Sequence, residues 1–262
     1  MLEFIHWTVN PDLISEPLTI RWYGLLFATG FFIGFQLLKY TLRKEGESTE
    51  WTDSILIYMV IGTVVGARLG HVFFYDWPYY KNHLSEIPMV WKGGLASHGG
   101  AIGIILAMFI FSKFVIKKNV LWILDRIVMP IAFAGILIRL GNLMNHEIVG
   151  NPSNLPWAFI FHGHPTFENP DLVPRHPAQL YEAICYVISF LALFFLIFKK
   201  NILQKTGATF GWFLILIFTF RFLIEFVKEN QEMYEMSITL NTGQLLSIPF
   251  VLLGIYFAFI KK

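Results

Sequence analysis

Arg139, Asn142, Asn145, His146 and Glu147 fall within nine positions of one apolar stretch, Gly135–Gly150, which reads GILIRLGNLMNHEIVG. A guanidinium, two amides, an imidazole and a carboxylate at that spacing can grip an anion, donate to oxygens and hold one another in place. A cation at the middle of a membrane helix costs about 2.5–3.5 kcal/mol on insertion scales. A chain that keeps one there has something polar to hold. Tyr23, Arg68, His98, Gln179, Tyr181, Glu182, Arg221, Glu225, Gln244 and Ser247 are set into apolar sequence in the same way. Arg68, Arg139 and Arg221 together imply an anionic ligand, and phosphate is the natural match for a forked guanidinium.

Each of these residues also has a plain structural role open to it. Arg221 and Glu225 are four apart and can neutralise each other on one helical face. Arg68 can snorkel to headgroups, His98 can be a packing histidine, and Asn142 and Asn145 can cap a helix and turn the chain. Packing alone does not explain why so many of them share one depth on separate helices.

The elements that must position them follow from composition. The 262 residues are 55% hydrophobic, 17% aromatic and 15% charged, against about one quarter charged in soluble domains. Apolar runs near 20–39, 53–75, 95–112, 121–144, 178–198, 208–227 and 243–260 are each near the length that crosses a bilayer. The fold class expected is an all-α integral membrane protein: one polytopic domain over 1–262, a bundle of seven transmembrane helices. Lys39, Arg43 and Lys44, then Lys113, Lys117 and Lys118, then Lys199, Lys200 and Lys205, then Lys261 and Lys262 follow alternate spans. The positive-inside rule therefore puts the N-terminus outside and the C-terminus in the cytoplasm. On that orientation the polar residues lie in the outer halves of the spans. Asp125 and Arg126 are placed at the inner interface. Residues 1–19 read as an outer interfacial arm. Residues 145–177, interrupted by Pro152, Pro156, Pro165, Pro170 and Pro174, read as an outer loop.

Several classes fall away. Net charge is +2 with no basic block, so no nucleic-acid partner is expected. Cys185 is the sole cysteine and cannot pair within the chain. Residues 1–20 carry Glu3, Asp12 and Glu16 without a basic opening segment, so no cleavable signal is expected. His162, His164 and His176, without a nearby carboxylate or thiol, match no strong zinc pattern, and no metal is expected. Gly30–Gly34, Gly62–Gly66–Gly70 and Gly99–Gly103 carry the small-residue spacing of close helix packing.

The run Arg139-Leu-Gly-Asn142-Leu-Met-Asn145-His-Glu147-Ile-Val-Gly150 closely resembles the signature of bacterial phosphatidylglycerol–prolipoprotein diacylglyceryl transferases. Further matches come in family order: Arg21-Trp22-Tyr23-Gly24, His98-Gly99-Gly100, Arg175-His176-Pro177 with Gln179-Leu180-Tyr181-Glu182, and Arg221-Phe222 with Glu225-Phe226. Gly243-Gln244-Leu245-Leu246-Ser247 matches more weakly. Ile138 stands where the family usually has glycine, Ile217 where some members carry tyrosine, and His71 where an aromatic is common.

The resemblance implies transfer of the diacylglyceryl group of phosphatidylglycerol to the lipobox cysteine thiol of a prolipoprotein, forming a thioether and releasing glycerol phosphate. It implies a bacterial inner-membrane location with the active site toward the periplasm, and no cofactor. The catalytic residues implied are His98 as base, with Tyr23 or water as alternatives, and Arg139 and Arg221 on the departing phosphate. Tyr23, Arg68, Asn142, Asn145, Glu147 and Glu225 are the substrate-binding residues implied. The main rival is an anionic-lipid transporter or flippase, which would call for polar residues along a whole path and often repeated halves. A non-catalytic lipid-headgroup receptor is a second rival. The inner half here is apolar and no repeat is evident.

Overall fold

Long runs rich in Leu, Phe, Ile and Ala favour helices, and helices carry most of the described chain. The computed structural model describes residues 4–16, 19–163, 172–229 and 240–261; His164, Pro165 and Pro170 lie outside them. The helices are α1 (Trp22–Lys44), α2 (Trp51–Phe74), the short α3 (Trp77–Tyr80), α4 (Ser97–Phe111), α5 (Val120–Met144), α6 (Ala178–Lys200), α7 (Ala208–Ile224) and α8 (Thr242–Ile255). Turns of π-helix continue α4 over Ser112–Ile116 and α8 over Tyr256–Ile260. Among the described residues, six helical segments are long and apolar enough to cross a membrane, and α7 is a shorter apolar helix of 17 residues. Their faces without a protein neighbour are apolar, as Ile57, Val60, Ile61, Val64 and Val65 on α2 show. Such a surface belongs in lipid. The chain is a multi-pass integral membrane protein.

Helix ends agree with local sequence. Gly46, at φ 75°, stops α1. Its N–H reaches the Arg43 carbonyl and that of Glu47 reaches Leu42, the paired bonds of a Schellman stop. Asn201 stops α6 in the left-handed region at φ 52°. Asn241 opens α8 with a reciprocal capping box to Gln244.

The chain forms two compact units, Met1–Leu37 with Asp125–Lys262, and Leu38–Leu124. In the second, α2 and α4 pack backbone to backbone on the expected small residues. A Cβ on Gly62 would lie 2.7 Å from the Gly103 carbonyl oxygen, and one on Gly70 2.7 Å from Gly99 Cα. In the first, Met129, Ala132, Leu193 and Ile197 form a core across α5 and α6, joined by Leu37, Phe190, Trp212 and Leu216.

Among the described residues, four short strands add to the helices the sequence announced. β1 (Ile5–Trp7) pairs in parallel with β4 (Phe159–Phe161), and β2 (Asp12–Ile14) antiparallel with β3 (Ile20–Arg21). The arm is thus tied by strand pairing to the described part of the 145–177 loop. Asp125 and Arg126, expected near the inner interface, are both buried against protein. The Asp125 carboxylate accepts the N–H groups of Gly207 at 2.6 Å and Phe210 at 2.8 Å, capping α7 from a neighbouring helix.

Candidate active site

The first unit gathers a polar cluster where α5, α6 and α7 end or begin. Arg139 and Asn142, three apart on α5, share a helical side, and Arg139 Nη1 donates to Asn142 Oδ1 at 3.2 Å. Asn142 Nδ2 donates in turn to Glu147 Oε1 at 2.8 Å, where Asn145 Nδ2 also arrives at 3.2 Å. The two amides and the carboxylate therefore fix one another and turn Arg139.

Glu147 can reach back because the backbone reverses on either side of it. His146 and Ile148 both take left-handed conformations, at φ 56° and 60°. A β-branched residue there is strained, at about 1–3 kcal/mol. Surrounding bonds hold it. His146 is buried; its Nδ1 accepts the Gly163 N–H at 3.2 Å, which leaves Nε2–H to donate to the Val9 carbonyl at 2.7 Å. Trp7 Nε1 donates to the Leu143 carbonyl at 3.0 Å, so the N-terminal arm covers the end of α5. Gly150 N–H meets the His176 carbonyl and Asn151 N–H the Val227 carbonyl, stitching the loop to the segments just before α6 and just after α7.

A second line of charge runs from Arg139 through residues not assigned a role from sequence. Arg139 Nε lies 3.1 Å from Glu182 Oε2, an ion pair that is not aligned as a hydrogen bond. Glu182 Oε1 lies 3.6 Å from Lys228 Nζ, which is also 3.6 Å from Glu225 Oε1. Glu225 Oε1 stands 3.7 Å from Arg221 Nε, and its Oε2 accepts Asn241 Nδ2 at 3.1 Å. A side chain on Gly243 would bring its Cβ within 2.5 Å of Glu225 Oε1, so glycine there makes room for the carboxylate. Arg139, Glu182, Lys228, Glu225 and Arg221 form one chain of alternating sign, three cations to two carboxylates, with Glu147 joined only through Asn142. Among the described residues, Arg139 Nη2 and both Nη groups of Arg221 have no acceptor. These donors are open to an anion, and Arg221 is the more exposed of the two side chains.

Tyr23 packs its ring on Gly141, where a Cβ would come within 2.8 Å of Tyr23 Cδ2. Gln179, fully buried, donates from Nε2 to the Glu147 carbonyl at 2.5 Å, while its Oε1 has no partner. At the outer edge Trp157 Nε1 donates to Tyr181 Oη at 2.8 Å, and Tyr181 Oη is 3.2 Å from His176 Nδ1. Burial pushes the His176 pKa down, and the neutral ring can accept the tyrosine proton.

Arg68 and His98 belong to the other unit. Arg68, 2% exposed, donates to the carbonyls of Ile87, Gly93, Gly94 and Glu86 and lies against the Tyr80 ring. With four of its five N–H donors spent on backbone, Arg68 organises the 84–96 loop. It neither snorkels nor offers a fork to a ligand. Lys92 beside Glu86 holds that carboxyl below the usual range and closes the loop from outside. His98 is exposed on the first turn of α4 and has no partner among the described residues.

Sequence reasoning singled out Glu182 without giving it a role, and gave Lys228 none. Glu182 stood inside a recognisable motif and invited a question about its partner. Lys228 carried no signal, because a lysine just past a span reads as a loop charge.

Comparison with known proteins shows the family. The family model for prolipoprotein diacylglyceryl transferase matches residues 11–260. A phosphatidylglycerol–prolipoprotein diacylglyceryl transferase of Tolumonas auensis is 46% identical over 252 residues, 96% of this chain and 95% of that protein. Proteins of the same name from Chloroherpeton thalassium and Porphyromonas gingivalis are 43% and 45% identical, over 98% and 97% of this chain and 94% and 93% of theirs. Family model and relatives alike span nearly every element described above, and the chain belongs to the prolipoprotein diacylglyceryl transferase family.

Proposed function

We propose that this transferase moves the diacylglyceryl group of phosphatidylglycerol to the lipobox cysteine of a prolipoprotein, at the Arg139 cluster. The cysteine sulfur attacks the glyceryl carbon, a C–S bond forms, and the C–O bond to phosphate breaks. Glycerol phosphate leaves with one more negative charge than the diester carried. The thiol proton goes to a base, for which His98 is the proposed group and Tyr23 the alternative; a thiol of pKa near 8.5 needs one.

The observation that carries this reading is the set of open guanidinium donors on Arg139 and Arg221, held in a chain of three cations and two carboxylates. Directed donors in a water-poor site stabilise the charge that grows on a departing phosphate. Asn142, Asn145 and Glu147 set the Arg139 geometry and face the glycerol head. Glu225 fixes Arg221, and Arg68 acts through the loop it holds. The lone acceptor Gln179 Oε1 takes a substrate donor, such as a glycerol hydroxyl.

All seven apolar helices cross the membrane in this proposal, with the N-terminus outside, the C-terminus in the cytoplasm, and the site toward the periplasmic face of the bacterial inner membrane. At 17 residues α7 rises about 26 Å; the turn at 225–227 brings it toward the ~30 Å core.

Purified protein incubated with labelled phosphatidylglycerol and a lipobox peptide is expected to give a thioether-linked diacylglyceryl peptide and free glycerol phosphate. Lipid movement between leaflets without peptide modification would support a flippase instead.

A further inference from the structure

A pocket of about 270 Å³ opens at the carboxyl end of α4, lined by Phe109, Ser112, Lys113, Lys118, Asn119 and Val120. All of these residues lie in the unit Leu38–Leu124, and the pocket shares no residue with the Arg139 cluster. It is built on a change of helix type. After Phe111 the helix widens into the π turn Ser112–Ile116, which ends at Lys117 in the left-handed region, φ 53°. Ser112 closes the turn twice: its carbonyl accepts the Lys118 N–H at 3.1 Å, and its hydroxyl donates to the Lys118 carbonyl.

The polarity of the lining is one-sided. Asn119 Oδ1 accepts the Leu121 N–H at 2.8 Å, so its Nδ2 is the end left to donate. Lys118 is engaged: it pairs with Glu47 and lies over the rings of Trp122 at 4.0 Å and Trp51 at 5.1 Å. Lys113 has no carboxylate partner among the described residues; its Nζ lies 5.4 Å from the Phe114 ring centre and 5.9 Å from that of Phe109. Lys113 and Asn119 are therefore open donors, and no lining residue is acidic. Phe109 and Val120 form an apolar wall that continues onto the exposed Ile110, Phe114 and Val115. Tryptophans beside lysines mark headgroup depth, and basic pockets of this kind between helices hold acidic headgroups.

We propose that this pocket binds the phosphodiester headgroup of an anionic phospholipid, with Lys113 and Asn119 on the phosphate oxygens and acyl chains along Phe109 and Phe114. The apolar wall is what favours a lipid over a free phosphate ion, which would use only the polar side. Under the orientation proposed above, the lipid comes from the cytoplasmic leaflet.

The test uses the full chain in phosphatidylcholine vesicles containing a photoactivatable phosphatidylserine, with adducts mapped by peptide mass spectrometry. Adducts are expected on segment 109–120. They fall about fivefold in Lys113→Gln, the factor expected from one ammonium near an acidic surface. Lys113→Arg restores them, and Arg139→Ala leaves them in place. Labelling that ignores Lys113, or equal labelling by a photoactivatable phosphatidylcholine, overturns the proposal. Displacement by soluble glycerol phosphate overturns the lipid assignment.

Discussion

Arg139 is held from two sides, by the Asn142 oxygen at Nη1 and by Glu182 at Nε, and this leaves Nη2 for a ligand. Arg139→Ala is expected to lower kcat/KM for thioether formation by at least about a hundredfold, the usual cost of a directed transition-state donor. Membrane insertion should be unaffected, and near-normal turnover by the purified variant would refute the role. Glu182→Gln removes the carboxylate shared by Arg139 and Lys228, and a smaller loss, about tenfold in kcat, is expected for a positioning group. At this scale the sequence was legible where polarity broke an apolar run, as at Arg139, Asn142 and Glu147. It was not legible where a charge stood at a run's end, as at Lys228. The i,i+4 pairing of Arg221 with Glu225 was readable, but not that Glu225 also meets Lys228 and Asn241. His176 gives a prediction in pH. Its folded pKa is lowered by burial from 6.5, so the unfolded chain takes up its proton first on acidification. The stabilisation is complete above about pH 6.5 and is lost as pH falls through the folded pKa. His176→Phe should remove that component from melting temperatures measured in detergent between neutral and mildly acidic pH; an unchanged slope would exclude it.

At the scale of elements, two contacts decide how helices are joined. Asp125 caps α7 through two backbone N–H groups, and Asp125→Ala is expected to destabilise by about 1–2 kcal/mol or more, with Asp125→Asn recovering part. Thermal unfolding in detergent reads this directly. Between α2 and α4 there is no space for side chains at Gly62 and Gly70. Gly62→Leu is expected to cost about 1–3 kcal/mol or more through overpacking, visible as loss of folded yield, whereas Gly46→Asn, at an open left-handed stop, should be tolerated. Helix positions were legible because lipid demands unbroken apolar runs: residues 53–75 were expected and α2 occupies Trp51–Phe74. The pairing of β1 with β4 was not. Each strand has three residues, and they lie too far apart in sequence for any local pattern to announce the match. The Asp125 cap was hidden for a similar reason, since its partners are backbone groups some 82 to 85 residues away.

For the molecule as a whole, the proposed orientation is open to a labelling test, because Cys185 is the only native thiol. With Cys185→Ser as background, Ser48→Cys and Asn201→Cys should resist a membrane-impermeant maleimide in intact cells. Asn82→Cys and Ser153→Cys should react. The opposite pattern would invert the topology read from the lysines and arginines. The family could be read from the sequence because its motifs are short and each is contiguous or nearly so in the chain; the joining of the N-terminal arm to the end of α5 could not. That joining has a practical consequence. Trp7 and Val9 are bonded to Leu143 and His146, four to seven residues beyond Arg139. Cargo fused ahead of Ile5 would pull on the turn that carries Glu147 back to Asn142, and under the proposed orientation it would also have to be exported. Purification handles and reporters therefore belong at the other end of the polypeptide.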